Sequence, residues 1–362
     1  MPEATLGHWF ATLMAVVPAD DLAAPQPELW HWVAFGILVF FLLVTDLFVF
    51  HRESHEPSLR ESAIWTLVWC TMALGFNVVI WMWLGPTLAL QFLTGYLIEW
   101  SLSMDNVFVF AVIFSVFCVP LKHQYRVLFW GILGAVVMRL TFVLLGAALI
   151  KHAEWVLWVF GVFLVYTGIR LSMHGDSDVH PENNLLMRLA ARIFPVAKEN
   201  HGNHFLAIEN GRRCITPLFL VLLVVESTDV LFAVDSVPAI FGITKDPFIV
   251  FTSNVFAILG LRALYFLLAG VMDLFRYLSY GLSAVLVFVG LKMIAEYWAP
   301  SVLGTPPDHH LVHPAVSLAV VVSLLGISVV ASIVASRRER ARSLVKDTEQ
   351  CEVVQVPIDR TP

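Results

Sequence analysis

The feature that most constrains this chain is a series of long apolar runs, each near or above the ~20 residues that a helix needs to cross a bilayer. Backbone groups in lipid must be hydrogen-bonded within the protein, and the runs are too continuous for barrel strands. Only 14% of the residues are charged, too few to cover a soluble surface. We therefore predict an all-α polytopic membrane protein of about nine transmembrane helices, with spans at 30–50, 62–84, 90–118, 126–150, 155–173, 215–240, 249–270, 279–298 and 312–335. The third span is long enough to be tilted or broken.

The distribution of lysine and arginine predicts the orientation of the chain. One set of alternate loops carries most of the basic residues, whereas residues 1–29 contain none. Because short basic loops stay in the cytoplasm, we predict that the N-terminus lies outside and the C-terminus in the cytoplasm. The predicted domains are an extracytoplasmic extension (1–29), a transmembrane domain (30–335) and a basic, polar cytoplasmic tail (336–362).

Three pairs of segments resemble one another at a nearly constant separation of 122 to 124 residues. The pairs are 103–108 (SMDNVF) with 227–232 (STDVLF), 139–146 (RLTFVLLG) with 262–270 (RALYFLLAG), and 161–171 (GVFLVYTGIRL) with 283–293 (SAVLVFVGLKM). The repeated unit is three helices, spans three to five (about 90–173) and six to eight (about 215–298). An odd unit enters the membrane from opposite faces, so we predict a 3+3 inverted-topology repeat, as in secondary transporters. A duplicated scaffold that has lost transport is the alternative.

The connection between the two units, residues 174–214, is the largest polar segment of the transmembrane domain. It is predicted to be cytoplasmic, with a short amphipathic helix near residues 185–194. Its histidines match no compact set of metal ligands, which favours a solvated loop over a metal sensor.

Ionisable residues inside the spans are the candidate functional residues, because a charge at the membrane centre costs at least ~2.5–3.5 kcal/mol. On span three, Glu99 and Asn106 are seven residues apart and share a helix face, whereas Asp105 is turned by about 100° from Asn106. On span six, Glu226 and Asp229 are three residues apart and also share a face. The spacing therefore predicts that acids from two repeat-related helices meet near the middle of the membrane.

For four further charged residues the sequence leaves alternative roles open. Asp235 joins the Glu226 face only if Pro238 bends the helix and frees nearby carbonyl oxygens. The repeat-related Arg139 and Arg262 are either gates or counter-charges that stand in for a metal, or members of fixed ion pairs. Asp46, near the inner end of span one, is more simply a boundary acid that pairs with basic groups than a transport residue.

The predicted central cluster offers oxygen donors only. They are carboxylates, the Asn106 amide and the hydroxyls of Ser103, Ser227, Thr228 and Ser236. Such a set suits Mg²⁺, Ca²⁺ or Mn²⁺ rather than copper or zinc. We expect this ion to be transported rather than held as a tightly bound cofactor. Empty, close carboxylates would share protons, so cation/proton exchange is a hypothesis.

Two motifs carry a family resemblance. The segment 99–106 (EWSLSMDN) and the run 216–270 (beginning TPLFLVLLVVESTDVLFAVDSVPAIFG) resemble the TerC/Alx family of bacterial membrane proteins, and 46–61 (DLFVFHRESHEPSLRE) is similar to the same family. The resemblance covers about residues 30 to 335 and implies a bacterial inner membrane location and an architecture similar to LysE-type exporters. The family is linked by name to tellurite resistance, and its Alx-like members to manganese export and alkaline pH. The expected metal-pathway positions are Glu99, Asp105, Glu226, Asp229 and Asp235, and Asn254 matches the family pattern as well.

The function predicted from these observations is export of a hard divalent cation, with Mn²⁺ favoured by the resemblance, through alternating access at a mid-membrane carboxylate site. The partners expected are the bilayer and the ion, without nucleic acid; a homo-oligomer or membrane-protein partners stay open. The alternative is an assembly or tellurite-resistance partner without transport, since thylakoid relatives are associated with membrane-protein insertion. An enzyme is not expected, because the spans show no nucleophile–base pair.

Overall fold

The computed structural model describes residues 27–50, 58–153, 155–173, 185–197, 204–209, 212–269, 277–303 and 312–353. Within these ranges the chain is helical apart from one short hairpin. The helices are α1 (Leu29–Phe50), α2 (Leu59–Leu84), α3 (Pro86–Val116), α4 (Leu121–His152), α5 (Trp155–Met173), α6 (Leu185–Ile193), α7 (Pro217–Phe241), α8 (Pro247–Leu259), α9 (Leu261–Ala269), α10 (Leu278–Leu303) and α11 (Pro314–Val353), and the strands are β1 (Leu206–Glu209) and β2 (Arg212–Ile215).

The prediction of an all-α polytopic membrane protein is confirmed. Eight helices of the described ranges are long and apolar enough to cross a membrane, and the bent pair α8–α9 counts as a ninth when it is taken as one broken span rather than a re-entrant loop. The break lies in this seventh span, where the axis turns by 42°, and not in the third, because α3 is one helix of 31 residues. The turn occurs at Gly260, and glycine is among the residues at which helices bend.

Helix α7 runs without a break through Pro238, which lies in its last turn. Near a helix end, proline removes only one backbone hydrogen bond and need not stop the helix. Thr216 begins α7 by accepting a hydrogen bond from the backbone N–H of Phe219 (3.3 Å). Asp246 begins α8 in the same way, accepting from the N–H of Phe248 (2.8 Å).

The short helix α8 lies at the centre of the protein. Every residue from Phe248 to Leu259 is buried. The helix packs against α1, α2, α3, α4 and α7, so any polar side chain on it faces other helices rather than lipid. Asn254, predicted from the family pattern, is therefore placed in the interior.

The helices α5 and α10 approach closely at small residues. A Cβ atom on Gly161 would lie 2.9 Å from the carbonyl oxygen of Gly290, and one on Gly168 would lie 2.9 Å from that of Ser283. Small residues permit such contact between transmembrane helices. Both helices carry segments of the third matched pair, which thus pack against each other; the inverted relation of the two units stays a prediction.

The connection before α7 contains the predicted short helix, which is confirmed as α6. It also contains an antiparallel hairpin, β1–β2, that the sequence did not predict, with Leu206 paired to Ile215. The hydroxyl of Thr216 donates to the carbonyl oxygen of His204 (2.8 Å), which ties the hairpin to the start of α7. The histidines at 174, 180 and 201 lie outside the described residues.

Candidate functional site

Arg139, on α4, is the centre of a polar cluster that joins four helices. Its side chain is 1% exposed. Its Nη1 contacts Oε1 of Glu99 on α3, Oγ of Ser236 on α7 (3.1 Å) and Oδ1 of Asn254 on α8. Its Nη2 lies 3.6 Å from Oδ1 of Asp229 on α7. We call these five residues the Arg139 cluster.

The Asn254 amide is held in its orientation by its own helix. Its Nδ2 donates to the carbonyl oxygen of Val250 (2.9 Å), so that Oδ1 points toward Arg139 as an acceptor. Glu99 is completely buried and Asp229 is 4% exposed. The cluster therefore presents fixed oxygen atoms, away from lipid and bulk water, toward a single cationic group.

Several atoms of the cluster lack a hydrogen-bond partner among the described residues. They are Oε2 of Glu99, Oδ2 of Asp229 and Nε of Arg139, and the nearby Ser103 hydroxyl on α3 is also without one. Leaving a buried polar atom unpaired costs about 1–3 kcal/mol, and more when it is charged. Free carboxylate oxygens at this depth fit a site that exchanges protons, water or a cation with its surroundings.

Glu226 extends the acidic groups away from Arg139. It lies three residues before Asp229 on α7, so the two carboxylates share a face and act on each other electrostatically. A narrow cavity reaches both carboxylates from the side of the α4 N-terminus. It is lined by Phe110, Leu128, Gly131, Ile132, Ala135, Val225, Glu226, Asp229 and Leu261.

The opposite side of the cluster is closely packed. A Cβ atom on Gly95, four residues before Glu99, would lie 3.0 Å from Oγ of Ser253 and 3.2 Å from Cγ2 of Ile240. A Cβ atom on Gly146 of α4 would lie 2.9 Å from the ring of Phe241. Packing this tight leaves no channel between these residues. The small cavity thus lies on one side of the cluster, and close packing lies on the other.

A buried lysine reinforces the sealed side. Nζ of Lys292, on α10, donates to the carbonyl oxygen of Gly242 at the end of α7 (3.0 Å) and lies 3.6 Å from Oε1 of Glu296. A cation at a helix C-terminus interacts favourably with the helix dipole. Lys292 therefore fixes the end of α7 against α10.

Arg262 and Asp46 form a second buried ion pair with each other. Arg262 lies in the first turn of α9, just after the bend, and its guanidinium also lies over the ring of Tyr125 at 4.4 Å. Nearby, the hydroxyl of Tyr265 donates to Oε1 of Gln124 (2.8 Å). The pair fixes α9 to α1, so Asp46 does pair with a basic group, as predicted. His51 and Arg52, the basic residues nearest to Asp46 in the sequence, lie outside the described residues.

The remaining predicted residues lie apart from these contacts. Asp105 is half-buried and accepts a hydrogen bond from the hydroxyl of Ser279 at the start of α10 (3.4 Å). Asn106 is buried on the Glu99 face of α3. Asp235 is half-buried, and the charge that acts on it is Arg170 of α5. Asp105 thus contacts α10, whereas the charge that acts on Asp235 comes from α5.

Within the described ranges, no three histidine, cysteine or acidic side chains converge as a metal site. The Arg139 guanidinium lies between the carboxylates of Glu99 and Asp229. The chemistry of the surrounding donors fits a hard cation, since all are carboxylate, amide or hydroxyl oxygens.

Sequence reasoning identified every member of the cluster, but it missed one neighbour, Gly134 of α4. A Cβ atom there would overlap both carboxylate oxygens of Glu226 and lie 2.5 Å from its carboxyl carbon. A glycine facing an intramembrane acid on a neighbouring helix is a signal only once the helix pairing is known.

Comparison with known proteins identifies relatives over most of the chain. The sequence pattern of the family described as "Integral membrane protein TerC family" matches residues 84–340. A membrane protein of Myxococcus xanthus is 48% identical over 307 residues, covering 84% of this chain and 92% of the relative. A protein of Escherichia coli K12 named "Putative membrane-bound redox modulator Alx" is 43% identical over 303 residues, covering 81% and 91%. A Rickettsia bellii membrane protein is 36% identical over 304 residues, covering 84% and 97%. No solved structure shows significant similarity.

Proposed function

Because the chain belongs to the TerC family of integral membrane proteins, we propose that it transports a hard divalent cation, Mn²⁺ before others, by alternating access at the Arg139 cluster. The observation that carries the proposal is the guanidinium of Arg139 lying between the buried carboxylates of Glu99 and Asp229. The Arg139 guanidinium and a free metal cation would compete for the same carboxylate oxygen atoms.

The charges of the cluster favour an exchange of cations. Two carboxylates facing one guanidinium leave one negative charge, which a proton can neutralise while no ion is bound. A divalent ion matches Glu99 and Asp229 in charge, so its binding would release the proton and displace the Arg139 guanidinium, whose positive charge the adjacent Glu226 carboxylate would then balance. Binding coupled to proton release is the elementary step of cation/proton exchange.

The route to the cluster supports export. The cavity beside Glu226 and Asp229 is lined on α4 by residues between the start of that helix and Arg139, and the distribution of basic residues predicts that this end of α4 is cytoplasmic. An ion would pass from Glu226 to Asp229 and then replace Arg139. Release to the other side would require separation of the contacts at Gly95 and Gly146, as alternating access demands.

The choice of Mn²⁺ combines two lines of support. Oxygen donors without histidine, cysteine or methionine suit Mn²⁺, Mg²⁺ and Ca²⁺ and disfavour copper and zinc. The resemblance to Alx-like exporters selects manganese among the three. The ion is the transported substrate, and we propose neither an enzymatic step nor a resident cofactor.

The proposal is tested by Mn²⁺ flux in proteoliposomes with the Asp229→Asn variant. We expect flux to fall at least tenfold, because the variant keeps the side-chain shape and removes the charge that the ion needs. Asp246→Asn is the matched control, since Asp246 caps α8 outside the cluster and asparagine caps a helix equally well. Full flux in Asp229→Asn would contradict transport at this site and favour the assembly role.

A further inference from the structure

The carboxylate of Glu226 rests on a glycine of the neighbouring helix. Gly134 lies on α4, opposite Glu226 on α7, and a Cβ atom on Gly134 would overlap both carboxylate oxygens. Among the described glycines, this is the one whose absent side chain is replaced by a carboxylate. Gly131, one turn earlier on the same helix, faces Val225 instead, and a Cβ atom there would lie at an ordinary 3.4 Å.

The location of this contact gives it a consequence for the pathway. Glu226 lines the cavity that leads to Asp229, and its side chain is half-buried. It is therefore the first carboxylate that an ion or proton meets before the cluster. Any residue larger than glycine at position 134 would push this carboxylate out of its place while the helices stay packed, since the overlapping atoms belong to the flexible end of a side chain.

We propose that Gly134 is a positioning residue. It holds the Glu226 carboxylate in the cavity beside Asp229 and so lets Glu226 pass cations to Asp229. The inference rests on the proposed function, because it gives Glu226 a role in that same path. It adds a residue without any polar side chain to the transport machinery. It also predicts that the space at position 134, rather than its chemistry, sets how well ions are captured.

The test compares Gly134→Ala with Gly131→Ala in Mn²⁺ flux measured in proteoliposomes. Both variants add one methyl group to the same face of α4 and change helix propensity equally. We expect Gly134→Ala to raise the KM for Mn²⁺ about tenfold, the loss of one good contact, with kcat nearly unchanged. We expect Gly131→Ala, whose added methyl group would meet Val225 at 3.4 Å, to raise the KM less than Gly134→Ala does. A change confined to KM separates a defect in ion capture from general damage.

A second variant tests whether Glu226 is the group displaced. Glu226→Asp shortens the side chain by one methylene and should restore KM in the Gly134→Ala background to within about threefold of the wild type. Equal KM values for the two alanine variants would overturn the inference. Two other results would also overturn the inference: a Gly134→Ala defect that Glu226→Asp does not relieve, and a Gly134→Ala protein that fails to fold. Either result would mean that the added methyl group displaces the backbone rather than the Glu226 carboxylate.

A readout without transport distinguishes this inference from the proposed function. Hydrophobic carbodiimides react with buried carboxyl groups, and mass spectrometry of the purified, detergent-solubilised protein reports labelling at Glu226. We expect the labelling rate to change at least threefold in Gly134→Ala and not in Gly131→Ala. If the wild type carries no cation but this difference is found, the proposed function fails and the positioning role of Gly134 stands. If both variants label like the wild type, the inference fails.

Discussion

Replacing Arg139 with glutamine should produce a protein whose stability depends on Mn²⁺. Arg139 is buried, and its Nη2 lies 3.6 Å from Oδ1 of Asp229 while its Nη1 contacts Glu99. At an effective dielectric constant of about 20, unit charges at this separation interact by roughly 4–5 kcal/mol. Removing one partner of such a pair typically destabilises a protein by about 3–5 kcal/mol, since a buried charge is left uncompensated.

A divalent cation should reverse much of this loss. In Arg139→Gln no guanidinium lies between Glu99 and Asp229, so the two carboxylates lack a positive charge that a bound cation can supply. A ligand at 100 times its Kd stabilises the folded state by about 2.7 kcal/mol. We therefore expect Mn²⁺ to recover most of the lost free energy of unfolding in the variant, and to stabilise the wild type less, because there Arg139 must first be displaced.

The measurement is unfolding in mixed micelles, with and without Mn²⁺. The control is Arg262→Gln at the matching position of the second repeat segment, which also loses a buried ion pair, with Asp46, but is not part of the Arg139 cluster. We expect a similar loss of stability there without recovery by Mn²⁺. Equal recovery in both variants, or none in Arg139→Gln, would refute the idea that Arg139 and the cation compete for the same acids.

Three further predictions concern residues outside the cluster. Asp105→Asn should reduce Mn²⁺ flux at least tenfold, because the family resemblance puts Asp105 on the metal pathway. It should leave stabilisation by Mn²⁺ unchanged, because Asp105 is not one of the five residues of the Arg139 cluster and accepts a hydrogen bond from Ser279. Loss of both, measured in flux and unfolding assays, would place Asp105 at the site. Lys292→Met should free the end of α7, on the closely packed side of the cluster that the basic loops predict to face outward. We therefore expect faster labelling from outside of a cysteine introduced as Ile240→Cys, and an unchanged labelling rate would argue against this role. Asp246→Ala should cost about 1 kcal/mol of stability through loss of a helix cap, and Asp246→Asn almost none. Burial raises the pKa of Asp246, so the folded state holds its proton more tightly than the unfolded state, and stability should fall as pH rises through that pKa; Asp246→Asn should flatten this part of the profile.

The number and type of the helices could be predicted because the length of an apolar run and the thickness of a bilayer decide them together. Face assignments within one helix were equally accessible. Glu226 and Asp229 share a face because they are three residues apart, and Asp235 does not join that face because α7 remains one continuous helix through Pro238. These are local consequences of helical geometry.

The partners of the charges could not be read from the chain, because they depend on how distant helices pack. Asp46 and Arg262 are separated by 216 positions, and the sequence near Asp46 offered basic neighbours that were nearer. The break of the seventh span at Gly260 was missed for a related reason. Glycine is tolerated inside helices, so that only the packing of α8 between its neighbours determines where the axis turns.

The most direct test of Mn²⁺ transport is Mn²⁺ movement in proteoliposomes of purified protein, measured with and without a pH gradient and with Mg²⁺ and Ca²⁺ as competitors. We predict Mn²⁺ flux that a proton gradient accelerates, that Ca²⁺ or Mg²⁺ inhibits more weakly than unlabelled Mn²⁺, and that Asp229→Asn abolishes. Wild-type liposomes that carry Mn²⁺ no faster than protein-free liposomes, with or without the gradient, would contradict it.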